Sequence, residues 1–599
     1  MSISTSNKRS AIIAAIFAAT LFTTILGMHH FYKNENQQFE EYTHNLFCQE
    51  VSGNTISLHY TLKNPAAYGI TDTPVSIGSC TSDTGSVCAA IENALALLKS
   101  YDRRRLSSEN KLTYDVLEDY YTTAFELAPY SLYEEPLSPL TGTQSQLPVI
   151  LSEYQFYDTS DINTYLKLLK KVPDYFDSIL EFEQARSEKG LFMSENALDD
   201  LMEECRAFVK LRKDNYLYTS FEERLNELEK GLSEKEKKSF NRGKYVKTND
   251  KYIQKYIFPA YKQLINGLDA LRDDCAADKT SGGLCEFPGG RQYYELLAGS
   301  ETGSERSIPK LQELARRQIM EDLGAMQTAL AQLGASNLSA EDADSHTSDL
   351  FSSQGAILED SNPVSILNTL EDKMKDDFPK LPAVDVQVKY VQKSLEEYLS
   401  PAFYMIPALD NAQSNVIYIN AGHIPDDLSL FTTLAHEGYP GHLYQNVYYM
   451  NQNPDPVRCL LGYGGYTEGW ATYCEMLSYY YAPIPKAEAT IMQKNGSIML
   501  GLYALADMGI HYDGWSLSDT VSFFRDYGIT DSQAISEVYD LIVSDPANYL
   551  KYYIGYLEFL ELKKYAIEEW GNRFTQQRFH RIVLETGPAP FKILRQQLD

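Results

Sequence analysis

INTYLKLLKKVPDYFDSILEFEQARSEKG, residues 162–190, sets Ile, Leu, Tyr and Phe at three- and four-residue intervals with charged residues between them. That period puts apolar side chains on one face of an α-helix, so the stretch predicts helix rather than strand. The same period fills AAIENALALLKSYDRRRL (89–106), NALDDLMEECRAFVKLRKDNY (196–216) and SIPKLQELARRQIMEDLGAMQTALAQLG (307–334). Ser or Asp caps several of these runs, and Gly190 and Gly334 close two of them. Strand signals are few: VQVKYV (386–391) and NVIYIN (415–420), both β-branched or aromatic, are the best. ASNLSAEDADSHTSD (335–349) reads as a solvated loop. No internal repeat and no Pro- or Ser-rich linker divides 40–599, so the expectation is a single large, mainly α body with a small β element.

Composition narrows the function classes. Apolar residues at 44% and charged residues at 23% are those of a globular chain, which excludes disordered and fibrous scaffolds. Asp and Glu number 82 against 53 Lys and Arg, and the resulting net charge of −29 repels phosphate backbones and anionic lipid surfaces. Nucleic acid is therefore not an expected partner. The 45 Tyr against 3 Trp point to a polar-walled, Tyr-rich interior or cleft.

Lys8 and Arg9 precede an uncharged apolar stretch, AIIAAIFAATLFTTILGM (11–28). Its length just reaches the ~17–25 residues that span a bilayer, and no A-x-A cleavage signature closes it. The reading is a signal-anchor, or else a cleaved signal peptide, over 11–28, with 1–10 as a cytoplasmic tail and the body exported. The membrane is expected as a partner through this segment only. Eight Cys in an exported chain suit disulfides, and Cys80 with Cys88 and Cys275 with Cys285 each close a short loop. No CxxC pair suggests a zinc ribbon.

The stretch that carries chemistry is FTTLAHEGYPGHLYQ (431–445). A His followed by Glu on a helix, with another His close behind, is the zincin arrangement, in which two imidazoles hold Zn²⁺ and the Glu polarises water on the metal. The usual His spacing is four residues, whereas His436 and His442 are six apart, about 120° from a shared face of an undistorted helix. Pro440-Gly441 lies in the insert, and Pro removes a helical hydrogen bond. A loosened or bulged turn at 439–441 is the expected remedy. A third ligand should follow, because catalytic zinc takes three protein ligands. Glu468, in YTEGWATYCE (466–475), sits among Gly and aromatic residues where a free surface charge is a poor explanation. Glu475, seven residues on, is either a surface carboxylate or a second carboxylate orienting a ligand. His511, in DMGIHYDGW (507–515), is either a donor to a developing oxyanion or a core His held by Asp507. His423 sits after the second strand signal, and His580 suits a structural tie of the C-terminal helix.

HEGYPGHLYQ, EGWATYCE, DMGIHYDGW, YIGYLEFLELKKYA (553–566) and FHRIVLETGPAPFKIL (579–594), with GLCEFPGGRQYYELLAGSETG (283–303), together resemble the bacterial family catalogued as domain of unknown function 885. The resemblance covers most of 45–599 and implies a zincin-type metallopeptidase with a large helical, deeply cleft body, related in architecture to angiotensin-converting enzyme and the oligopeptidases. Carried over by motif, His436, His442 and Glu468 would be metal ligands for Zn²⁺ and Glu437 the base. Tyr553 or His511 would meet the oxyanion; Tyr552 is chemically equal to Tyr553 and only the motif match separates them. Family members often carry a further His where this chain has Leu443. The expectation is an exported zinc peptidase of short peptides, with NVIYIN as an edge strand pairing with extended substrate. A zinc hydrolase of a non-peptide amide or ester, and a non-catalytic surface binding or scaffold protein, are the alternatives.

Overall fold

The structure is a computed structural model that describes residues 34–139, 142–275, 282–333, 360–391, 393, 396 and 399–599. The apolar 11–28 segment, the 335–349 loop and Gly334 lie outside these residues. Among the described residues no helix is long and apolar enough to cross a membrane.

The 162–190 stretch forms two helices rather than one, Thr159–Leu169 and Val172–Glu188. Pro173 accounts for the break: it is tolerated in the first turn of the second helix, where its missing N–H leaves no bond unmade. Asp158 and Asp161 form a reciprocal capping box at the start of the first helix. Ile162, Tyr165, Leu168, Leu169, Phe176 and Ile179 are all buried, as their spacing predicts. Gly190 adopts φ +67° and ends the second helix in the left-handed conformation that glycine takes at little cost.

By contact density the described residues fall into two compact units, 34–275 with Ala408–Asn411, and 282–407 with Ala412–Asp599. Among its described residues the first has helices and no strand. All eight Cys are free thiols, so neither of the two expected short staples is formed.

The second unit carries the expected small β element. β1 (Asp385–Tyr390), β2 (Ala402–Met405) and β3 (Ser414–Ile419) form a three-stranded sheet in the order β1-β3-β2. β3 pairs parallel with β1 and antiparallel with β2. The NVIYIN strand is therefore the centre of the sheet and not an edge, because the short AFYM segment at 402–405 covers the side expected to be free. The helices of this unit are α1 (Gly290–Thr302), α2 (Ile308–Gln332), α3 (Pro363–Lys373), α4 (Asp427–Glu437), α5 (His442–Met450), α6 (Gly464–Ser478), α7 (Lys486–Met508), α8 (Leu517–Asp526), α9 (Ser532–Ser544), α10 (Asn548–Trp570), α11 (Gln576–Thr586) and α12 (Phe591–Leu598). α6 packs along α10, α2 along α7, and α4 against α6, α3 and β2. Mainly helical with one small sheet is thus the observed class.

Candidate metal centre

Two helices do what one could not. α4 ends at Glu437, the chain leaves helical geometry at Gly438 (φ −112°, ψ −102°), and α5 begins at His442. The expected bulge is a complete break, with a cis Tyr439-Pro440 peptide inside it. His436 comes from the last turn of α4 and His442 from the first of α5, and their rings lie 4.8 Å apart at 82°. The turn is tight: the Gly441 N–H donates to Ala435 O at 2.9 Å, and a Cβ on Gly441 would fall 1.9 Å from the His436 carbonyl. From α6, the Trp470 indole N–H (3.0 Å) and the Cys474 thiol (3.3 Å) donate to the Pro440 carbonyl, fastening the turn to the helix that supplies the next carboxylates.

Glu468, on α6, places Oε2 3.3 Å from His442 Nε2 and 3.7 Å from His436 Nε2. Seven residues on, Glu475 Oε2 lies 3.0 Å from His436 Nδ1. Both ring nitrogens of His436 thus face carboxylates, and Glu475 is bonded to His436 rather than free at the surface. Glu437 also joins the group: its carboxylate, His436 and His442 offer atoms within 4.8 Å of one another. Its Oε2 accepts the backbone N–H of Tyr404, on β2, at 2.7 Å.

The charges are mutually dependent. Burial works against a charged His436, yet hydrogen bonds to Glu468 and Glu475 and the Glu437 charge hold its pKa well above the ordinary imidazole value. Burial alone would raise Glu468, but the His442 and His436 charges and hydrogen bonds hold it well below the usual carboxylate range. Three carboxylates around two imidazoles need positive charge among them, from ring protons or from a cation. Metal–donor bonds of 2.0–2.2 Å in a tetrahedron separate neighbouring donors by about 3.3–3.6 Å, so the Glu468 distances fit an ion shared by His436, His442 and Glu468.

The remaining expected residues do not join. Tyr553 is fully buried in the helix packing, where a Cβ on Gly501 would meet its hydroxyl at 2.8 Å. Tyr552, its neighbour, faces the centre: its ring lies 6.4 Å from that of His436, and the charge of Glu468, then burial and Glu437, push its phenol well above the ordinary value. His511 is a core residue. The Leu284 N–H donates to its Nδ1 at 3.2 Å, its Nε2 pairs with the Ile542 carbonyl at 2.9 Å, and burial lowers its pKa to about 4. It is held by these backbone groups and not by Asp507, which binds the Tyr294 hydroxyl instead. His423 is exposed beside Asn420. His580 is the structural tie expected of it, bonded to the Asp377 carbonyl and the Tyr473 hydroxyl. Tyr404 went unnoticed in the sequence; its only signal is the short apolar AFYM between Pro401 and Pro407.

Among solved structures, the chain is similar to "the putative lipoprotein from Colwellia psychrerythraea", with TM-score 0.79 and 18% identity over 94% of this chain and 98% of that one. It is also similar to "a putative lipoprotein of unknown function from Shewanella oneidensis", with TM-score 0.62 and 15% identity over 93% and 99% of the two chains. At these identities the likeness is one of fold. No curated protein matches the chain significantly. A sequence model of one family matches residues 84–598, and the chain belongs to that family, bacterial protein of unknown function DUF885.

Proposed function

We propose that this chain is a zinc-dependent hydrolase of the zincin type, cleaving short peptides, with a helical architecture related to that of angiotensin-converting enzyme and the oligopeptidases. The observation that carries the reading is the approach of one carboxylate oxygen, Glu468 Oε2, to the Nε2 atoms of both His436 and His442. His436, His442 and Glu468 would hold Zn²⁺, which when bound supplies Lewis acidity toward water and a substrate carbonyl. Glu475 fixes the orientation of His436 through Nδ1. Glu437, the residue next to the first ligand, takes the proton as general base. Tyr552 replaces Tyr553 as the phenol that donates to charge developing on the carbonyl oxygen, because it is the one turned toward Glu468 and Glu437. Export is the compartment we propose, on the basic-then-apolar leader and on the description of both similar structures as lipoproteins.

The test is metal content combined with turnover on a panel of di- and oligopeptides and of small amides and esters. The wild type should hold about one zinc per chain and His442→Ala should lose most of it. Glu437→Gln should keep the metal and lose about 10²–10⁴-fold in rate, the usual worth of a general base. Zinc retained in full by His442→Ala, or unchanged turnover in Glu437→Gln, would overturn the reading. Turnover confined to the amides or esters would replace peptides as substrate, and no turnover at all would leave a binding protein.

A further inference from the structure

We infer that Tyr404 is the positioning residue of Glu437, an inference that rests on the proposed role of Glu437 as base. Three connections of Tyr404 bear on Glu437. Its backbone N–H donates to Glu437 Oε2 at 2.7 Å. Its hydroxyl donates to Asn415 Oδ1 on β3 at 2.6 Å. The same hydroxyl accepts from Asn446 Nδ2 at 3.2 Å, and Asn446 lies on α5 one turn after His442. One residue of an edge strand thereby ties the carboxylate at the end of α4 to the sheet and to the helix that begins with His442.

The strand register makes the backbone bond possible. Pro401 O accepts from Asn420 N at 2.8 Å, so position 401 faces β3, and with the two-residue alternation of a strand so do 403 and 405. Position 404 therefore turns its N–H away from the ladder, where an edge strand ordinarily offers it to solvent or to another chain. Here a carboxylate takes it. The side chain is 2% exposed and cannot swing without breaking the Asn415 bond. Asn415 is itself completely buried, with its amide N–H₂ directed to the Ala412 and Asp385 carbonyls, which leaves its Oδ1 to accept from Tyr404. The hydroxyl thus sets where the strand lies, and the strand sets where the N–H meets Glu437. A carboxylate with two oxygens and free rotation about its side-chain bonds is poorly placed as a base; with Oε2 fixed, Oε1 has a defined direction.

Two measurements test this, one independent of any turnover. Hydrogen–deuterium exchange by mass spectrometry on metal-free protein should show the peptide spanning 402–406 gaining about one fast-exchanging amide in Glu437→Ala, with neighbouring strands unchanged. Tyr404→Phe, which keeps the N–H but cuts the hydroxyl anchor, should speed the same amide to a smaller degree. No change in that peptide in Glu437→Ala would overturn the inference, whether or not the protein is a peptidase. For turnover, Tyr404→Ala and Tyr404→Pro form the informative pair, because both remove the side chain and only Pro removes an N–H that the sheet does not use. Tyr404→Pro should have kcat about 10–100-fold below Tyr404→Ala, the range typical of lost outer-shell partners, with KM within about twofold and zinc content equal. Equal kcat for the two, or loss of zinc in Tyr404→Pro alone, would show a structural role and overturn the positioning one. If the wild type has no turnover, the proposed function fails while the exchange result still decides whether Tyr404 holds Glu437.

Discussion

Glu475 shows how much a single carboxylate decides. Its bond to His436 Nδ1 at 3.0 Å leaves Nε2, the atom facing Glu468, as the nitrogen that carries a lone pair when the ring is neutral. Glu475→Gln keeps the shape and weakens this preference, because an amide can present either a donor or an acceptor to Nδ1. Zinc affinity should fall about 10–100-fold, measured by competition with a chromophoric chelator, and an affinity within twofold of wild type would remove Glu475 from the centre. His436, Glu437, His442 and Glu468 were legible as a candidate group from the His-Glu pair, the Pro440-Gly441 insert and the motif resemblance, because the six-residue spacing alone would not bring both imidazoles to one helix face. Tyr552 and Tyr553 were not separable, since adjacent helical residues point about 100° apart and the rotation of α10 is set by Gly501 and its neighbours across the packing. His511 misled for a related reason: its partners, Leu284 N and Ile542 O, come from remote chain and leave no local mark.

At the scale of elements, the centre depends on how closely α6 approaches α10. A Cβ on Gly469 would lie 2.4 Å from the Gly555 carbonyl carbon, and one on Gly555 would lie 2.4 Å from the Gly465 carbonyl oxygen. The two helices cross on glycine, backbone against backbone, at the residue following Glu468. Gly469→Ala forces them apart, and overpacking of this kind costs about 1–3 kcal/mol. It should lower the thermal midpoint and also weaken zinc binding, because Glu468 moves with its helix. A variant with the wild-type midpoint and wild-type zinc affinity would show that the crossing has slack. The helices were legible from their period and the strands from their β-branched residues, but the order of the sheet was not. β2 is four residues long, too short for alternation to register, yet it turns β3 from an edge into the centre. The break between α4 and α5 was legible as a place, through Pro440-Gly441, and not as a form.

Across the whole molecule burial raises those acids that no strong partner holds down, and Asp507 in the second unit is one of them. It is completely buried, its Oδ1 accepts from the Tyr294 hydroxyl (2.6 Å) and the Ala547 N–H (3.1 Å), and its Oδ2 has no hydrogen-bond partner among the described residues. Burial is the largest cause of its shift and pushes its pKa to about 7 against the pull of those hydrogen bonds. An unfolded Asp titrates near 3.9, so between about pH 4 and 7 the folded state holds a proton that the unfolded state has released, and stability falls as pH rises. His580 has the opposite sign: burial lowers it to about 3, so below an unfolded value near 6.5 the unfolded chain takes up a proton first and stability falls as pH falls. All three Trp, at 470, 515 and 570, lie in this unit, so Trp fluorescence follows its unfolding alone. Asp507→Asn keeps the acceptor at Oδ1 and carries no titrating proton. Urea denaturation of metal-free protein should therefore show the variant gaining on the wild type from about pH 4 to 7, by at most about 4 kcal/mol at one pKa unit per 1.36 kcal/mol. His580→Gln should show the reverse trend, gaining on the wild type as pH falls below 6.5. An Asp507→Asn difference that stays constant with pH would mean that Asp507 is ionised in the folded protein and paired with a cation, and Lys551, whose pKa the Asp507 charge helps to raise, is the group that would have to supply it.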